Sequence, residues 1–140
     1  MRAKQVTQAE IRLPKVVQNR QVTDALLQVQ RDVEGCLDEW AERAHLEQPK
    51  GAGLPVARDA DLIVRLAVTP EGLGHDAVAK GHDSPSVRMC IEHAMTRIAF
   101  PKGHENLMVQ VEVSWAAGNL NMTGRVVGRS ETGGHGRVDL

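Results

Sequence analysis

The chain has 140 residues and a formal net charge of −1, from 17 basic and 18 acidic side chains. That length fits one compact domain with tails, and the near-neutral balance gives no electrostatic pull toward nucleic acid or anionic membrane. The aromatics are Trp40, Phe100 and Trp115, too few for a base-stacking platform, and no apolar run is long enough to span a bilayer.

Residues 1–20 are polar and locally basic (Arg2, Lys4, Arg12, Lys15, Arg20) and are interrupted by Pro14. They read as an arm or linker, with a short helical turn around Val16 as the only structure expected. Met1–Arg20 lacks the continuous apolar core of a secretory signal, so work outside the cytoplasm would need an upstream signal or anchor. A cytoplasmic protein is the alternative.

A domain is expected over residues 21–115. Val22, Leu26, Val29, Val33, Cys36, Leu37, Trp40 and Ala44 recur at steps of three and four, the stripe of an amphipathic helix. Pro49, Gly51, Gly53 and Pro55 end it. Leu62, Val64, Leu66 and Val68 then alternate with Ile63, Arg65 and Ala67, as in a half-buried strand. Thr69-Pro-Glu-Gly72 predicts a turn, with Gly72 supplying a positive φ, and a weaker strand over Asp76–Lys80 completes a hairpin. Ser84 before Pro85 is a helix start, and Val87, Cys90, Ile91, Ala94, Met95 and Ile98 form the apolar face that follows. Phe100-Pro101 stops that helix. Leu107, Val109, Val111, Val113 and Trp115 alternate with Met108, Gln110, Glu112 and Ser114, the strongest strand signal in the chain.

Residues 116–140 carry six glycines and little periodicity. Arg125–Val127 could add a short strand, but a flexible glycine-rich tail is the expectation. The expected fold is therefore α+β, two helices on one face of a three-stranded antiparallel sheet in the order α-β-β-α-β. A right-handed crossover from the second strand to the third puts the first strand in the middle and the last, Leu107–Trp115, at an edge.

Cys36 and Cys90 lie on the apolar faces of the two helices. If both helices cover one sheet face, the sulfurs can meet. Placement favours a disulfide over two buried thiols, and such a bond would persist in an oxidising compartment. The absence of a CxxC spacing argues against redox catalysis and zinc. His75-Asp76, His82-Asp83 and His93 show no metal-ligand spacing, and Ser84 beside His82 and Asp83 reads as a helix cap, not as a nucleophile. Gly72-Leu-Gly74 precedes no helix and is no phosphate loop. No cofactor, no metal and no catalysis are expected.

Val33-Glu-Gly-Cys36, Leu62–Val68, Thr69-Pro-Glu-Gly72, Val87-Arg-Met-Cys90-Ile91, Ile98-Ala-Phe-Pro101-Lys-Gly103 and Leu107–Val113 follow one another in an order that resembles the TonB C-terminal domain family, especially its AgmX/PglI-type branch. The resemblance implies a non-enzymatic periplasmic module of an envelope-spanning complex for transport coupling or gliding motility. Its partner would be a protein or extended peptide of the cell envelope, added as a strand to an exposed sheet edge. The edge expected for that role is Leu107, Val109, Gln110, Val111, Glu112, Val113 and Trp115. Membrane attachment would come only through an upstream anchor, and nucleic acid is not expected. The alternative is a small regulatory domain that dimerises or binds a small ligand.

Overall fold

A computed structural model describes residues 16–46, 59–116 and 118–130. Helix α1 (Asn19–Ala25) passes through a 3-10 segment, Leu26–Val29, into α2 (Gln30–Leu46). Strand β1 (Ala60–Val68), β2 (Gly74–Lys80), helix α3 (Pro85–Met95), β3 (Asn106–Ala116) and β4 (Asn119–Ser130) follow. The four strands form one antiparallel sheet in the order β2-β1-β3-β4.

The alternation read from β1 and β3 is what divides the sheet into two faces. Leu62, Val64, Leu66 and Val68 are buried, as are Leu107, Val109, Val111, Val113 and Trp115. They meet Val22, Leu26, Val29, Val33 and Leu37 from the first helical run and Val87, Ile91, Ala94 and Met95 from α3 in one continuous core. Burying a Leu- or Val-sized side chain contributes about 1.5–3 kcal/mol, so this single core is the main source of stability. Ile63 and Arg65 turn to the opposite, open face.

Local chemistry sets the element ends. Ser84 accepts the Val87 N–H through Oγ at 3.2 Å, and Pro85 occupies the first helical position of α3, as its sequence implies. Gly72 has φ +91°, and a Cβ there would stand 2.3 Å from the Phe100 carbonyl oxygen. That φ and that contact suit only glycine, whose N–H bonds to the Thr69 carbonyl at 2.8 Å. Gln28 pairs both of its amide groups with the backbone of Ala99, at 2.8 and 2.9 Å, and so ties the segment after α3 to the 3-10 joint.

Three expectations need correction. The sheet has four strands, because Asn119–Ser130 pairs along the length of β3. Residues 119–130 of the expected tail are thus β4, and residue 117 and residues 131–140 lie outside the described residues. Leu107–Trp115 consequently is not an edge: β3 pairs with β1 on one side and β4 on the other. The expected arm also ends early, since Val17 is buried and α1 begins at Asn19; residues 1–15 lie outside the described residues. The first strand does lie in the interior, between β2 and β3.

Candidate functional site

Cys36 and Cys90 are joined as a disulfide with their Cα atoms 5.9 Å apart, and they are 54 positions apart in the chain. The bond clamps α2 to α3. Cys36 is buried, whereas Cys90 is exposed at the floor of a broad groove of about 940 Å³ between the two helices. Gly35 keeps one wall of that groove low, and Arg97 reaches across it to Asp32 at 3.0 Å.

Of the side chains expected to meet a partner on β3, the structure places five in the core: Leu107, Val109, Val111, Val113 and Trp115. Gln110 faces the open side yet is only 5% exposed. Its Oε1 accepts a hydrogen bond from Arg65 Nε at 2.9 Å, which fixes the cross-strand pair. Glu112 is exposed on the same face, with Arg125 of β4 at 3.8 Å. The open face thus mixes exposed Ile63, Val78 and Met108 with these charges. Antiparallel sheets commonly leave one such face to solvent.

The sheet's real edges are β2 and β4, and helix side chains occupy part of each. On β4, Thr23 Oγ1 accepts the Gly124 N–H at 3.0 Å and donates to the Gly124 carbonyl at 3.1 Å. One turn earlier, Asn19 Oδ1 accepts the Val126 N–H at 2.9 Å. Helix α1 therefore stands where a fifth strand would, its side chains substituting for strand partners. Gly124 makes this approach possible, because a Cβ there would lie 2.6 Å from Val22 Cγ1. On β2, Glu92 of α3 accepts the Ala79 N–H at 2.8 Å. Asp76, at φ 55°, breaks the regular course of that strand beside a register shift. Capping, bulges and short length are the usual ways a protein blunts an edge.

The Thr23 contacts give a direct expectation. Thr23→Val keeps the shape but leaves both Gly124 backbone groups without their partner, a loss of about 1–2 kcal/mol. Denaturant unfolding should register it, and the Gly124 amide should exchange with solvent much faster than in the parent.

His75 and His82 are used locally. His75 Nδ1 lies 3.0 Å from Asp76 Oδ2, both exposed. His82 Nδ1 accepts the Ser84 N–H at 3.0 Å, and its ring meets Trp40 edge-on at 4.6 Å between centroids. Arg88 donates to the His82 carbonyl. Among the described residues no group of three or more His, Cys, Asp or Glu side chains is placed to hold a metal ion. No helix among them is long and apolar enough to cross a membrane.

The residues that sequence reasoning missed are Asn19, Thr23, Glu92 and Gly124. The caps on β4 join positions 101 and 107 apart in the chain, so no local pattern announces them. The alternation of Leu120, Met122 and Val126 with Asn121, Thr123 and Arg125 was the available signal for β4, and it is broken at Gly124 where the helix approaches. Comparisons with protein-family models, with curated proteins and with solved structures find no match.

Proposed function

We propose that the chain is a non-enzymatic protein-interaction module of the cell envelope, periplasmic, belonging to an envelope-spanning complex for transport coupling or gliding motility. Its partner is an extended peptide or protein segment taken by strand addition. The observation that carries the reading is the Cys36–Cys90 bond between α2 and α3 over one sheet face. Such bonds persist in oxidising compartments and are rare in a reducing cytosol. The order of elements from Val33 to Val113 supports the same reading through its resemblance to TonB C-terminal domains.

Intact-mass measurement after thiol alkylation tests it. Protein recovered from the periplasm should take up no alkyl group until a reductant is added, and then two. Free thiols in the unreduced protein would remove the main support for an envelope location.

A further inference from the structure

The outer margin of β4 falls into two halves. From Gly124 to Val126 it is occupied by Thr23 and Asn19. Its pairing with β3 is regular from Asn119 to Val126. In an antiparallel ladder, backbone groups alternate between facing the partner strand and facing away. Leu120 and Met122 therefore turn their N–H and C=O outward, the same way as Gly124 and Val126. Among the described residues no side chain bonds to them, and no backbone group from outside the sheet does either. Four backbone groups stand ready beside a closed stretch of the same strand.

A cleft of about 150 Å³ lies next to them, and its lining includes Leu26, Leu27, Leu120 and Met122 beside the polar Thr23, Asp24, Gln30 and Asn121. Leu27 is 65% exposed, on the 3-10 segment where the helical run turns from β4 toward α3. Asp24 is exposed, and among the described residues it forms no ion pair. The cleft's lining contains no cation. The β2 margin offers nothing equivalent, because Glu92 holds the Ala79 N–H and Asp76 interrupts the strand.

We propose that the Asn119–Thr123 half of the β4 edge takes a short extended peptide of a partner protein, with one apolar side chain against Leu27, Leu120 and Met122 and a basic residue facing Asp24. This rests on the reading of the chain as a protein-interaction module and names its site. Backbone pairing with Leu120 and Met122 supplies the register, and the cleft supplies the side-chain preference. Thr23 ends the track, so the paired segment is only a few residues long.

The full chain can be panned against a displayed library of random linear seven-residue peptides, with recovered peptides measured by fluorescence polarisation. The expected result is convergence on an apolar residue near an Arg or Lys. Leu27→Ser should weaken binding by about tenfold or more, the value of one seated apolar side chain. Asp24→Lys should remove the preference for basic peptides, and Met89→Ser, at an exposed site on α3, should change nothing. Amide exchange at Leu120 and Met122 should be fast in the free chain and slow in the complex. Binders that protect β2 or the open sheet face instead overturn this site and leave the interaction-module reading standing. A library that yields no binder counts against both. Protection of Leu120 and Met122 that grows with protein concentration alone makes a second copy the occupant and overturns the peptide assignment.

Discussion

Loss of the Cys36–Cys90 bond is expected to lower the unfolding free energy by about 3–4 kcal/mol. A cross-link spanning 54 positions restricts the unfolded chain, and the loop-entropy relation gives about 4 kcal/mol for that length, less any strain in the folded state. Against a typical domain stability of about 5–15 kcal/mol, that is a large share. The Arg97–Asp32 pair is about half exposed at each side chain, and exposed ion pairs contribute about 0–1 kcal/mol. Burial of Val33, Cys36 and Leu37 keeps α2 on the core after reduction, so the fold should persist at low denaturant. Urea titrations of the oxidised protein, the reduced protein and the Cys36→Ala/Cys90→Ala variant check this. The midpoint should fall in the last two and the slope should rise, because the unlinked chain exposes more surface on unfolding. A shift worth less than about 1 kcal/mol would mean that the reduced unfolded chain is already compact.

Gly124→Val is expected to cost about 2–3 kcal/mol and to lift α1 from the β4 margin. The first added carbon would stand 2.6 Å from Val22 Cγ1 and 3.3 Å from Leu26 Cδ1, and both side chains are buried. Overpacking of this kind typically costs about 1–3 kcal/mol. A shifted α1 would also weaken the Thr23 and Asn19 bonds. Two readouts separate the contributions. Exchange at the Val126 amide should accelerate more than exchange in β1. The pair Gly124→Ala with Val22→Ala should be less damaging than the sum of its members, since the smaller residue at 22 makes room for the new methyl group. Strict additivity would show that the clash relaxes by some other route.

Much of the fold was legible because it is written locally. The 62–68 and 107–115 alternations, the Ser84-Pro85 start and the positive φ at Gly72 each arise from a residue and its near neighbours. Cys36 and Cys90 were legible as a pair because each lies on an apolar helical face, and two faces packed on one sheet side must approach. The last strand was missed for a definite reason. Its inward positions are Leu120, Met122, Gly124 and Val126, and the missing side chain at 124 makes room for α1. A glycine that serves a distant helix looks, in sequence, like a glycine that serves a loop. The misplacement of the edge onto β3 follows directly, since an outermost strand is defined by what lies beyond it. The open half-edge at Leu120–Met122 was out of reach for the same reason.

Each margin of the sheet is closed in part by side chains from helices, not by strands, and this has a bearing on how chains meet during folding. Glu92, Thr23 and Asn19 cover Ala79, Gly124 and Val126 only once α3 and α1 have docked. A sheet assembled ahead of its helices would present a raw strand of 12 residues to any neighbour. Intermolecular aggregation then has a narrow opening in time, between strand pairing and helix docking. Early oxidation of the cysteines, by holding α2 beside α3, shortens that opening on the β2 side, while the β4 side depends on α1 alone.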